Sequence, residues 1–164
     1  MKALLVTFIA LAIANIAVLA YKPTEAVHVP TANPYAVCYS TDYASQLQCD
    51  TNHYRANNGL EPLYNDERLV EVSKQKSDDM CKRNYFAHDY QGRKWTYFIK
   101  NSDVPYKKAG ENLAKGYDTP SDALEALIAS PTHRANLLGD YTHIGVYTAS
   151  CGGKNYTTQT FAKL

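Results

Sequence analysis

The sequence predicts an α+β domain on three observations. Helix start and stop signals recur through the first two thirds of the chain, alternating apolar residues close it, and no strand–helix–strand repeat runs through the middle. At 164 residues and 45% hydrophobic, the chain has single-domain length and can bury a core without needing disulfides to fold.

The elements follow in order. Met1-Lys2 and the almost wholly apolar Ala3 to Ala20, ending Val18-Leu19-Ala20, read as a secretory signal peptide over 1–20, cleaved ahead of Tyr21. The apolar run is at the short end of what crosses a bilayer and no stop-transfer charges follow, so no membrane span is expected after cleavage. Pro23, Pro30 and Pro34 mark an extended lead-in over 21–40, leaving 41–164 for the folded domain. Thr41-Asp42 caps a helix with the face Tyr43, Leu47, Asp50/Thr51 and Tyr54, and Asn58-Gly59 ends it. Asn65 or Asp66 opens a second helix with the polar stripe Leu69, Ser73, Lys76/Ser77, Met80, ending near Asn84. Trp95 to Lys100 makes one or two helical turns, and a strand is expected around Asn112 to Ala114. Thr119-Pro120 enters a helix with the face Ala123, Leu124, Leu127, Ile128. Ser130-Pro131 interrupts it, Ser130 serving as cap for a short turn over Thr132 to Leu138. His143 to Ala149 and Tyr156 to Ala162 alternate around the turn Cys151 to Asn155, a C-terminal hairpin.

Seventeen Lys+Arg against sixteen Asp+Glu leave a net charge of +1. That balance excludes the broad basic face by which nucleic-acid binders neutralise phosphate. Cys38, Cys49, Cys81 and Cys151 are an even set without a C-x-x-C pair. In an exported chain they read as two disulfides, with three connectivities open. Asn155-Tyr156-Thr157 is a glycosylation acceptor sequence.

Five histidines carry the candidate chemistry. His28 in the lead-in and His53 on the first helix read as solvated, and His143 at a strand start is ambiguous. His88 follows Tyr85-Phe86 after a helix, His133 lies in the first turn of a short helix, and Glu111 follows Gly110 at the mouth of a strand. Two imidazoles with a carboxylate can hold a divalent metal, or work as an acid/base pair. Only the fold can bring three such distant residues together.

Read jointly, five ordered blocks resemble the CAP superfamily, which holds the cysteine-rich secretory, antigen 5 and pathogenesis-related 1 proteins. They are Asn52-His53-Tyr54-Arg55…Gly59-Leu60-Glu61-Pro62-Leu63, Tyr85-Phe86-Ala87-His88, Ala109-Gly110-Glu111-Asn112-Leu113-Ala114, Ser130-Pro131-Thr132-His133-Arg134-Ala135-Asn136-Leu137-Leu138, and the closing strands with Ile144-Gly145-Val146 and Tyr156 to Phe161. The fourth block is similar to that of compact SCP-like members of bacteria and fungi. The resemblance implies a three-layer α-β-α sandwich with a central antiparallel sheet and a cleft. In the family that cleft holds two His and two Glu, often around a metal. His88, Glu111 and His133 match three of the four, while Ser130 stands where larger members carry the second Glu. The implied site takes one divalent ion of the Zn class at His88 and His133, since imidazole suits Zn, Cu and Ni. The implied pairing is Cys49–Cys151 with Cys38–Cys81. Arg55 and Arg134 are expected to pair with carboxylates, and Asn112 and Asn136 to tie loops to the sheet.

The function this implies is a secreted, extracellular CAP domain. Its cleft would bind a lipid or sterol, a cell-wall component or a host component. The alternative is a metal-assisted secreted hydrolase or protease, with His88 or His133 as general base.

Overall fold

The computed structural model describes residues 40–164. The expected signal peptide, the lead-in up to residue 39, His28 and Cys38 lie outside the described residues.

Helix α1 (Tyr43–Asn57) starts at Asp42, whose carboxylate accepts from the Ser45 amide. It ends at Asn58 and Gly59, the glycine at φ +73° where other residues are strained. The two-residue strand β1 (Tyr64–Asn65) leads into α2 (Glu67–Lys82), capped by Asp66. The short helix α3 (Tyr97–Lys100) precedes β2 (Lys108–Lys115). Helices α4 (Pro120–Ala129) and α5 (Pro131–Leu137) follow, then the hairpin β3 (His143–Cys151) and β4 (Lys154–Lys163). Gly152 and Gly153, both at positive φ, make the two-residue turn.

The sheet order is β1-β3-β4-β2. β2, β3 and β4 are antiparallel, as expected of the central sheet, and β1 adds a parallel pair at one edge, Tyr64 opposite His143. Strand alternation divides β4 between two helical layers. Thr158 and Thr160 meet Ser77 and Ser73 of α2 (2.8 and 2.7 Å), with Ala162 packed beside Leu69, Val72 and Ile99. Gln159 and Phe161 face the other way. Gln159 donates to Thr51 of α1 (2.9 Å), and Phe161 joins Leu47, Leu124, Leu127 and Leu137 from α1, α4 and α5. The architecture is therefore the three-layer α-β-α sandwich.

Gly145 lets α2 lie close to β3. A Cβ there would stand 2.1 Å from the Leu69 carbonyl carbon. The Ser73 hydroxyl donates to the Gly145 carbonyl at the same spot (2.9 Å).

Three expectations need correction. A disulfide joins Cys81 to Cys151, so the pairing Cys49–Cys151 with Cys38–Cys81 is wrong. The C-terminus of α2 lies beside the end of β3, and that proximity decides the partner. Cys49 is also disulfide-bonded. Arg55, 3% exposed, reaches carbonyls instead of carboxylates: Glu61 (3.0 Å), Leu137 (2.8 Å) and Gly139 (2.9 Å). It serves carbonyls at the end of α5 and in the loop after α1. Ser130 makes no side-chain cap. Its hydroxyl shares a hydrogen bond with that of Thr132 (3.3 Å), while its carbonyl accepts from the Arg134 amide.

A candidate two-histidine site

Each of the three site residues comes from a different layer. After α2 the chain turns through Asn84 at φ 50°. The rings of Tyr85 and Tyr90 then stack at 3.7 Å, closing the turn that carries His88. The Tyr85 hydroxyl donates to Asp79 (2.6 Å), which also receives Arg93 (2.6 Å). Glu111 is the fourth residue of β2, inside the strand rather than at its mouth, because the pairing with β4 begins at Lys108. β2 is an edge strand of the sheet. His133 lies on α5, in the opposite helical layer. Its carbonyl accepts from Asn112 Nδ2 (3.2 Å), and Asn136 Nδ2 donates to the Glu111 carbonyl (3.1 Å). Asn112 and Asn136 thus tie helix α5 to the sheet, where loops were expected.

The fold brings His88, Glu111 and His133 together. His88 Nδ1 stands 2.8 Å from Glu111 Oε1, and the two imidazole centroids are 6.1 Å apart with planes tilted by 40°. The His88 side chain is 45% exposed while that of Glu111 is only 6% exposed. An ionised Glu111 can only accept, so the His88 proton sits on Nδ1 and the Nε2 lone pair is left for a ligand. Burial raises the Glu111 pKa above the ordinary carboxylate value, opposed by the His88 hydrogen bond and the Lys76 charge. Burial, with the neighbouring His88, lowers the pKa of His133 and favours its neutral form.

The sequence-based list missed one participant. Lys76 of α2 is 2% exposed, and its Nζ donates to the carbonyls of Ala87 (2.7 Å) and His88 (2.8 Å). Burial lowers its pKa, with Glu111 pulling the other way. The signal was present as a lysine on the inward-facing polar stripe of α2, between Leu69 and Met80.

Two neutral imidazoles are the donor type that a Zn-class ion takes. With Zn–N of about 2.0–2.1 Å and a tetrahedral angle, two imidazoles on one ion have centroids roughly 5.2 Å apart, so from 6.1 Å the rings must close by about 1 Å to share one. Glu111 stands behind His88 on Nδ1, the orienting position of a carboxylate–histidine–metal arrangement. Among the described residues no group of three or more His, Cys, Asp or Glu is placed to hold a metal. Ser130 is engaged with Thr132. His53 is exposed, and His143 shares a hydrogen bond with Thr142 (2.8 Å), away from this site. Asn155 donates to the Tyr117 carbonyl (3.0 Å) and accepts from Ser150 (2.6 Å), which engages the side chain that glycosylation would need. A depression of about 370 Å³ lies elsewhere, beside the disulfide, lined by Cys81, Asn84, Lys115, Cys151, Lys154 and Tyr156.

The sequence model of the CAP family, described as the cysteine-rich secretory protein family, matches residues 50–161, a span holding all three site residues. The chain belongs to this family. Within it, the chain is 37% identical over 146 residues to the uncharacterized protein YkwD of Bacillus subtilis (strain 168), covering 85% of this chain and 53% of that protein. It therefore spans about half the length of YkwD. The crystal structure of an extracellular SCP-domain protein from Bacillus anthracis str. Ames matches at a TM-score of 0.67 and 28% identity, over 74% of this chain and 40% of that one. An outer surface protein from Borrelia burgdorferi matches at a TM-score of 0.68 and 22% identity, over 72% of this chain and 90% of that one. The second likeness speaks to the fold alone. The Bacillus anthracis protein is described as extracellular and the Borrelia one as an outer surface protein, and no described helix of this chain is long and apolar enough to cross a membrane.

Proposed function

We propose that this chain is a secreted CAP domain that binds an extracellular ligand, a lipid, sterol or cell-surface component, at the cleft where His88 and His133 meet. In this reading the two imidazoles hold one exchangeable divalent ion of the Zn class, and Glu111 orients His88. The observation that carries it is the pair of rings 6.1 Å apart with Glu111 at 2.8 Å from Nδ1 of one of them. A bound ion supplies a Lewis-acid centre for an oxygen or nitrogen of the ligand. Binding is favoured over metal-assisted hydrolysis because only His88, Glu111 and His133 match the family's four cleft positions, with Ser130 where the second Glu would stand. Secretion rests on the signal-like residues 1–20 and on the likeness to an extracellular relative.

Calorimetric titration with zinc near neutral pH tests the site. His88→Ala and His133→Ala should each weaken zinc binding by about tenfold or more. Unchanged affinity in both variants overturns the two-histidine reading and leaves the fold untouched. Intact-mass analysis of exported protein should give Tyr21 as the first residue, and secreted material beginning at Met1 refutes the cleavage.

A further inference from the structure

We propose that Lys76 is the positioning residue of the two-histidine site: its buried ammonium grips the backbone of Ala87 and His88 so that the His88 ring meets Glu111. The proposal deepens the reading above and rests on it for the metal. Lys76 heads the largest fully buried side chains of the domain, at 2% exposure. Taking an ammonium out of water is expensive unless it is paired, and a Met or Leu would fill the same space without that penalty. Yet among the described residues no carboxylate lies within ion-pair distance of Lys76.

What the ammonium has instead is the turn. Two of its three protons go to the Ala87 and His88 carbonyls at 2.7 and 2.8 Å, and its charge stands 5.1 Å from the centre of the Tyr85 ring. Residues 84–89 belong to no helix or strand, so no ladder satisfies those two carbonyls. One helical turn along α2, Asp79 takes the Tyr85 hydroxyl and the Arg93 guanidinium, both at 2.6 Å. The same helix thus holds the turn at two points: Asp79 at its flanks and Lys76 at the residue that carries the imidazole. Releasing the second point frees His88 to rotate away from Glu111, while the stacked Tyr85 and Tyr90 keep the turn closed.

The test uses Lys76→Met, which keeps the stem and removes the charge. The control is Val72→Ala, one turn earlier on α2, where packing against Leu69, Ile99 and Ala162 is lost without touching the turn. The first readout is the ring-nitrogen spectrum of His88 in the metal-free full chain. Lys76→Met should lose the Nδ1-protonated tautomer seen in the unaltered chain, and Val72→Ala should keep it. The second is zinc affinity, which Lys76→Met should lower by about tenfold, as loss of an orienting partner does, and leave unchanged when added to His88→Ala. An unaltered His88 spectrum in Lys76→Met overturns the proposal even if zinc binds. A changed spectrum in a protein whose unaltered form binds no zinc supports the positioning role and removes only the metal. Should Lys76→Met not fold, Lys76→Gln, with two N–H donors on a shorter stem, is read by the same spectrum against the same two results.

Discussion

Replacing Gly145 by alanine attacks the closest approach of α2 to the sheet. The added Cβ would meet the Leu69 carbonyl carbon at 2.1 Å, the Val70 nitrogen at 2.2 Å and the Leu69 oxygen at 2.5 Å. Ordinary contact begins at 3.4 Å, so the helix backbone must retreat by about 1.3 Å. No flexible side chain stands in the way to absorb that movement. The retreat stretches the hydrogen bonds from Ser73 to the Gly145 carbonyl and to Thr160, 2.9 and 2.7 Å in length. Overpacking of this kind costs about 1–3 kcal/mol, and each buried hydrogen bond lost adds roughly 1 kcal/mol. The sum, about 3–5 kcal/mol, is a large share of the roughly 5–15 kcal/mol that holds a domain folded. For a domain of this size it corresponds to a melting temperature lower by roughly 12–20 °C. Thermal melts followed by circular dichroism, with urea titrations alongside, measure it. Gly110→Ala is the comparison, because its nearest neighbour is the hydroxyl end of the Tyr141 side chain at 2.5 Å, and it should cost less. A loss below about 4 °C in Gly145→Ala, or equal damage in Gly110→Ala, refutes the reasoning.

Asp66→Ala should destabilise by about 1 kcal/mol, the usual worth of a helix cap. The Arg68 side chain holds the Asp66 carboxyl below the ordinary carboxylate range. Its stabilisation is therefore present above the unfolded value of roughly 3.9 and is lost as pH falls through the depressed folded value. Asp66→Asn should flatten that acid limb in urea midpoints, and an unchanged limb refutes the assignment. Peptide mapping without reduction should recover Cys81 joined to Cys151, and Cys49 found on Cys151 contradicts the structure. Removing this bridge, which spans 70 residues, should cost about 4 kcal/mol by loop entropy, read from urea midpoints. Asn112→Ala should cost about 2–3 kcal/mol by leaving Gln159 and Asn136 without the partner that both now share; a loss under about 0.5 kcal/mol would refute that.

Helix ends are the most legible part of the sequence, because caps are local chemistry. Asp42, Asp66 and Thr119 each accept the amide bond their position demands, and Gly59 takes the positive φ that ends α1. β1 is not legible, since two residues carry no periodicity and its partner lies in the distant β3. β2 reads shorter in the sequence than it is. Gly110, Glu111, Asn112, Leu113 and Ala114 are all buried, so polar and apolar residues alike face packed layers and no alternation betrays the strand. Of the site, the residue types are readable and their meeting comes from the resemblance of five blocks in order. Lys76 is hidden because a charge within a helical stripe ordinarily reads as solvated. Its partners are carbonyls 11 and 12 residues on, which become partners only when the turn folds back. Arg55 hides its role in the same way, reaching carbonyls of Leu137 and Gly139 that no charge pattern announces.

His88 comes from the layer of α2, His133 from the layer of α5, and the edge strand β2 lies between them. Anything that bridges the two rings is bound only while both helical layers stay docked on the sheet. By linkage, an occupant at a hundred times its dissociation constant would add about 2.7 kcal/mol to the unfolding free energy. The whole domain would then work as a gauge, its melting point rising with the concentration of whatever bridges the rings. Screening metals and extracellular extracts by thermal shift would reveal any such occupant without an assay for what it does.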